Sequence, residues 1–303
     1  MGAMISITCP IQPALDHTKR ILFQPFSLGK WFVLGFCAFL AHLGGGGSLN
    51  YNQAFDRTRL AREGHLAEWA GAHLPLVILL GALLVVFLLG LGVLFQWLAS
   101  RGAFMFLDGV ARDRAAVVEP WDRFRDRGNQ VFRFRLVLIL VTLGFLAVVV
   151  GAGFLVVLPA FRAQAFGRSA FLPLLLVGGI LLLGLLALLA VSLLLKDFVV
   201  PIMYRRDLDL PVAWGVLRQE LLPGHGWQFL GFYLMTLVLW IPAALLAIAI
   251  ICLTCCVALL PYLSSVALLP ISVFFRCYSL CFLEQFGEGW RILEVPEQAG
   301  PSV

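Results

Sequence analysis

Long apolar runs dominate this sequence and leave few folds open to it. Runs of about 20 or more nearly uncharged residues lie at residues 74–100, 136–159, 171–195 and 229–255. A helix of that length and composition crosses the hydrocarbon core of a bilayer, whereas soluble helices alternate apolar and polar faces. Charged residues make up only 13% of the chain, about half the share in soluble domains. The sequence therefore predicts an all-α, polytopic membrane helix bundle.

We predict six transmembrane helices in one membrane domain that covers residues 1–303. Two shorter runs complete the set, a first span near residues 28–47 and a sixth near residues 257–275. The first is weak because the glycines of Gly44–Gly47 favour flexible backbone over helix. The polar segment 48–73 has near-helical apolar spacing and predicts a surface helix outside the membrane.

An internal duplication is a further prediction. Repeat-like units at residues 74–159 and 171–255 contain loops at residues 101–135 and 196–228. A shift of about 93 positions aligns three pairs: Arg112 with Arg205, Trp121 with Trp214, and Arg125 with Arg218.

Each of these two loops is predicted to contain a short amphipathic helix at the membrane surface. In the first, Val117, Trp121 and Phe124 share one helical face. Pro120 is tolerated only in the first turn of such a helix, which places its start near residue 118. Pro211 has the same place in the second loop. The pattern is typical of helices that lie in the bilayer interface.

The distribution of basic residues predicts the orientation. With six spans, 17 of the 22 Lys and Arg residues fall on the side that carries both termini. Basic residues accumulate in loops that stay in the cytoplasm, so both termini are predicted to be cytoplasmic. The N-terminus lacks the basic region and apolar core of a signal peptide, so we expect no cleavage there.

The same loops supply the candidate contact residues. A cation near an anionic surface contributes roughly 1 kcal/mol, so these side chains predict contact with anionic lipid or an acidic partner. The simpler alternative is that they only set the topology. The candidates are Arg112, Arg114, Trp121, Arg123, Arg125, Arg127, Arg133, Arg135, Arg205, Arg206, Trp214 and Arg218.

No enzyme or cofactor motif is present in the sequence, so we expect no catalytic, cofactor-binding or metal-binding residue. Cys252, Cys255 and Cys256 have the CxxC spacing of a metal site, but they lie in an apolar run without a neighbouring histidine. Small packing residues are the favoured interpretation. Nucleic-acid binding is not expected, because the basic residues lie in short loops beside apolar spans.

Residues 196–235, KDFVVPIMYRRDLDLPVAWGVLRQELLPGHGWQFLGFYLM, resemble the recurring unit of a group of poorly characterised bacterial membrane proteins. The group includes the YciC-like proteins and the membrane domain found beside glycerophosphodiester phosphodiesterases. The first copy departs from the unit, with Asp108 where Pro201 would be. The resemblance implies a six-helix inner-membrane protein without the phosphodiesterase domain. The matching positions are Phe198 to Ile202, Ala213, Arg218 and Gly224.

Two functions follow from these features. The favoured one is a non-enzymatic accessory or membrane-organising protein that docks a protein partner, a second copy of itself or anionic lipid through its basic loops. The alternative is a transporter or channel for a small or lipid-like solute. Buried carboxylates and broken helices are typical of ion-driven transporters, and the apolar runs contain few ionisable residues.

Overall fold

The computed structural model describes residues 5–24, 26–43, 73–162, 168–253 and 261–293. Within these ranges every regular element is helical, and no strand occurs. The α-helices are α1 (Ile11–Phe23), α2 (Leu28–Leu43), α3 (Leu74–Ala111), α4 (Val118–Arg123), α5 (Arg125–Arg162), α6 (Arg168–Leu194), α7 (Val200–Arg206), α8 (Leu210–Val216), α9 (Gly226–Leu253), α10 (Pro261–Ala267) and α11 (Leu269–Glu284). Two π-helical segments, Leu195–Val199 and Leu217–Leu221, and a 3₁₀ turn, Glu288–Trp290, complete the described structure.

Four helical segments are long and apolar enough to cross a membrane. They are Leu74–Ala111, Arg125–Leu155, Leu172–Arg206 and Gly226–Cys252. The 38 residues of α3 measure about 57 Å at 1.5 Å per residue, nearly twice the thickness of a hydrocarbon core. The most apolar window of α3 has no buried residue, so its side chains are exposed all around the helix. Such a surface is stable against lipid rather than water.

The buried core lies at one end of these long helices. It contains residues 99–111 of α3, the first π-helical segment together with α7, and the second half of α11. Helices α1 and α2 pack around them. Phe104, Phe198 and Tyr278 are among its largest fully buried side chains. The long helices therefore share one compact base, from which their apolar ends extend.

Small residues bring α2 close to its neighbours. A Cβ atom on Gly102 of α3 would lie 2.6 Å from the Cβ of Leu40 and 2.7 Å from the backbone nitrogen of Ala41. On the other side, a Cβ atom on Gly35 would lie 2.6 Å from a methyl group of Val266 in α10. Glycine allows helix backbones to approach this closely, as in many membrane helix pairs.

Two parts of the chain pass through the same order of elements. In residues 74–162, a long helix leads into a turn, a short helix and a second long helix. Residues 168–253 repeat that order, with α6, the first π-helical segment and α7 forming one continuous helical rod. Each turn contains an aspartate in the left-handed region, Asp113 with φ 52° and Asp207 with φ 58°.

The predicted loops are shorter and more helical than expected. Residues 101–111 and 125–135, predicted as parts of a loop, are the end of α3 and the start of α5. In the second unit, residues 196–206 are likewise helical. The apolar residues that follow Arg101 are buried by protein, and this burial carries the helix past the point where the sequence indicated a membrane boundary. The predicted helix starts are confirmed. Pro120 lies in the first turn of α4, and Pro211 lies in the first turn of α8.

The first and last predicted spans differ from the other four. In the first, α2 has 16 residues, and residues 44–47 lie outside the described chain together with residues 48–72 of the predicted surface helix 48–73. Along the sixth, the helix is interrupted at Leu268 between α10 and α11, where Pro270 occupies the first turn of the new helix. The described residues thus support four membrane-length helices, and the count of six stays a prediction.

Candidate functional site

The end of α3 holds a completely buried carboxylate. Asp108 accepts hydrogen bonds at Oδ2 from Arg114, from Nε at 3.0 Å and from Nη2 at 2.8 Å. Tyr204 of α7 donates to Oδ1 at 2.9 Å, and Nε of Arg112 lies 3.5 Å from the same oxygen. A charge removed from water needs such partners. The network therefore fixes both α7 and the turn that follows α3 to the end of α3.

The turn after α3 extends this network to two further helices. The left-handed backbone of Asp113 reverses the chain, so that Arg114 folds back onto Asp108. Arg114 also reaches Glu119 of α4, with Nη1 2.8 Å from Oε2, and this hydrogen bond lowers the pKa of Glu119. Asp113 itself pairs with Lys30 of α2 at 2.6 Å. The turn after α3 therefore contacts α2, α3 and α4 through ion pairs.

A second set of polar contacts joins the start of α5 to the other turn. Arg127 pairs with Asp207 at 2.6 Å. The side chain of Gln130 donates to Asp209 at 2.7 Å and accepts the backbone N–H of Leu210 at 2.9 Å. These bonds hold the turn after α3 and the turn after α7 against each other. The two loops, which are far apart in the sequence, therefore form one continuous surface.

The two tryptophans predicted to contact lipid are half-buried by protein. Trp121 packs edge to face on Trp97 with ring centroids 5.8 Å apart, and the Arg101 guanidinium lies 4.3 Å and 4.9 Å from the two ring centroids. Trp214 packs on Phe134, with ring centroids 5.8 Å apart. The apolar faces of α4 and α8 thus meet the protein core. Helical periodicity does not distinguish burial against protein from burial against lipid.

The predicted arginines divide into two groups. Arg112, Arg114 and Arg127 contact carboxylates as described, and Arg206 pairs with Glu220 and lies 3.9 Å over the Trp290 ring. Five others are exposed and have no salt bridge within the described chain, and we call them the basic face. The basic face consists of Arg123, Arg125, Arg133, Arg205 and Arg218.

The remaining candidate, Arg135, lines a cavity of about 610 Å³ between the long helices. This cavity could not be predicted from the sequence, because its walls come from residues distant in the chain. The sequence signal that could have indicated such a cavity is the set of polar residues at the inner ends of the apolar runs. The residues that combine to form its polar lining are His42, Gln96, Arg135, Ser192, Lys196, Ser264, Ser265 and Ser272.

No group of three or more His, Cys, Asp or Glu side chains suited to a metal ion occurs in the part of the chain that the structure describes. Cys252 is exposed near the end of α9, whereas Cys255 and Cys256 lie outside the described residues. The expectations for these cysteines, for cofactors and for catalysis therefore stay predictions.

Four long apolar helices on one helical base define the class of this chain as a helical membrane protein. Within that class, it belongs to the family of unknown function DUF7544, whose model matches residues 6–269. Comparisons with curated proteins and with solved structures gave no match. Membership in an uncharacterised family agrees with the expected kind of protein, while the resemblance to the YciC-like group stays a prediction.

Proposed function

We propose that this chain is a non-enzymatic accessory or membrane-organising protein of the bacterial inner membrane, whose basic face binds anionic lipid head groups. One observation carries the proposal. Arg123, Arg125 and Arg133 remain exposed while their neighbours Arg114 and Arg127 form ion pairs with carboxylates. Cations without a carboxylate partner keep their full attraction for an anionic surface.

Exposed apolar side chains beside the basic face support a location at the bilayer interface. Val118 on α4 is 75% exposed, and Val212, in the corresponding first turn of α8, is 51% exposed. Trp227, at the start of α9, is 76% exposed. Tryptophan is enriched at membrane interfaces, where basic side chains also reach the head groups. This mixture is suited to lipid head groups rather than to a purely aqueous surface.

The proposal includes the predicted topology and the duplication. The matched order of elements and the two left-handed aspartates, Asp113 and Asp207, support an origin by duplication and the resemblance to the YciC-like group. The basic face lies on the cytoplasmic side in this proposal, as the excess of basic residues there requires. Reporter fusions at Gln130 and Pro223 test this orientation. An extracellular signal from either would contradict it.

Neutralising the basic face tests the lipid proposal. Changing all five of its arginines to glutamine is expected to reduce the enrichment of phosphatidylglycerol over phosphatidylcholine around the protein in mixed nanodiscs at least fivefold, since each cation contributes about 1 kcal/mol. The matched control changes the same five arginines to lysine, which keeps the charges and should keep the enrichment. Equal enrichment in the glutamine variant and in the wild type would contradict the proposal.

The cavity between the long helices favours a second candidate, a transporter or channel for a small or lipid-like solute. Its volume of about 610 Å³ lies within the usual range of small-molecule sites. Polar walls inside a bundle of membrane-length helices are typical of solute pathways. A flux assay in proteoliposomes distinguishes the candidates, because saturable solute flux would rule out a purely accessory role.

A further inference from the structure

The cavity lies where the chain's two halves and its N- and C-terminal helices meet. Its lining comes from α2, α3, α5, α6, α9, α10 and α11 and from the first π-helical segment. Arg135 enters it from α5 and Lys196 from the π-helical segment. No single element could form this site, and its formation depends on both repeat-like units.

The charge inside the cavity is predominantly positive. Neither the Arg135 guanidinium nor the Lys196 ammonium makes a hydrogen bond or ion pair with any described residue. Arg276, behind the wall, is 7% exposed and donates from Nη1 to the Lys196 carbonyl at 2.9 Å. Its buried Nε has no partner in the described chain. Among the described residues, the carboxylate of Asp197 interacts electrostatically with Lys196 and Arg276, whereas Arg135 interacts with Arg276, so cations outnumber carboxylates in this cluster.

Hydrogen-bonding groups and an apolar wall accompany these charges. Ser272 and Gln96 line the cavity together with Ser192, whose hydroxyl donates to the Leu189 carbonyl, so hydroxyl and amide groups accompany the cations. Alanines and large apolar side chains also line the cavity. Of these, Leu189 is 51% exposed and Trp240 is 55% exposed, so the apolar wall continues into the surfaces of α6 and α9 that face lipid.

We infer that this cavity binds one anionic phospholipid from the surrounding bilayer, with its phosphate at Arg135 and Lys196 and its acyl chain along Leu189 and Trp240. Two cations without an ion-pair partner attract a phosphate strongly, and the Ser272 hydroxyl can donate to its oxygens. An apolar wall that continues to the lipid-facing surface is suited to an acyl chain rather than to a soluble anion. This site is separate from the basic face and does not depend on the function proposed for that face.

Native mass spectrometry of the delipidated full chain in detergent tests the inference. Titration with phosphatidylglycerol is expected to show one tight site that is preferred over phosphatidylcholine. The variant Arg135→Gln/Lys196→Gln should weaken that site about 30-fold, because each cation near an anionic group contributes roughly 1 kcal/mol. Unchanged affinity in this variant, or equal binding of phosphatidylcholine, would overturn the inference.

Further variants distinguish the lipid from free phosphate and the cavity from the basic face. Ala247→Phe fills the apolar part of the cavity, so it should abolish the tight lipid site; retention of that site would contradict the proposed acyl-chain position. Saturation of the wild-type site by inorganic phosphate alone would overturn the assignment to a lipid.

Arg123→Gln/Arg125→Gln alters only the basic face and should leave the tight site intact, whereas loss of that site would place it on the basic face. Arg135→Lys/Lys196→Arg keeps both charges and should restore binding if the glutamine variant has lost it through charge rather than misfolding.

Discussion

Replacing Arg114 by methionine is expected to lower the free energy of unfolding by about 3 kcal/mol. The substitution removes two hydrogen bonds, of 3.0 Å and 2.8 Å, from the fully buried carboxylate of Asp108. Tyr204 and the more distant Arg112 remain, but they do not replace the lost ion pair. A buried charge that loses its main partner costs more than the average mutation. Unfolding by sodium dodecyl sulfate in mixed micelles, followed by circular dichroism, measures the change.

Two controls separate this ion pair from general damage. Arg206→Met breaks the more exposed pair with Glu220, whose contact is 3.0 Å, and should cost about 1 kcal/mol or less. In a double-mutant cycle, Asp108→Asn combined with Arg114→Met should cost about 2 kcal/mol less than the sum of the single changes, because the uncompensated charge is gone. Additive single effects would show that the buried pair does not stabilise the fold.

Gly102→Ala is expected to destabilise the protein by about 2 kcal/mol. The added Cβ would lie 2.6 Å from the Cβ of Leu40 and 2.7 Å from the backbone nitrogen of Ala41. A side chain could rotate away from such a clash, but the backbone of α2 cannot move without disturbing its contact with α10, where Gly35 meets Val266. The same unfolding measurement in mixed micelles should therefore show a clear loss of stability.

The matched control lies on the same helix. A Cβ on Gly90 of α3 meets no atom within 4 Å, so Gly90→Ala should be neutral or stabilising by up to about 1 kcal/mol through helix propensity. The two glycine variants change the same chemical group in the same helix, and only their surroundings differ. Equal stability of the two variants would contradict the close packing of α2 on α3.

The class of fold could be predicted well from the sequence, whereas the limits of its helices could not. Apolar runs predicted the four membrane-length helices, and Pro120 and Pro211 predicted where the two short helices start. The end of α3 was predicted too early, near Ser100, because Arg101 was interpreted as the membrane boundary. In the structure Arg101 is 7% exposed and lies over the rings of Trp97 and Trp121, so the helix continues through buried protein.

The partners of the candidate contact residues could not be predicted from the sequence, for a related reason. Counting charges treats every arginine as free, yet Arg114, Arg127 and Arg206 pair with carboxylates that lie 5, 80 and 14 residues away in the chain. Proximity in space between Arg127 and Asp207 depends on how the two turns pack. No local pattern records it.

The sequence by itself determined that the chain forms long apolar helices, because about 20 uncharged residues leave the backbone no stable alternative in lipid. It also determined where turns interrupt them, since proline and charge act locally. Only the tertiary structure decided which cations are neutralised and which face a cavity. Arg135 and Lys196, 61 residues apart, line the same cavity because α5 and the rod formed by α6 and α7 converge there, and that convergence depends on packing across the whole base.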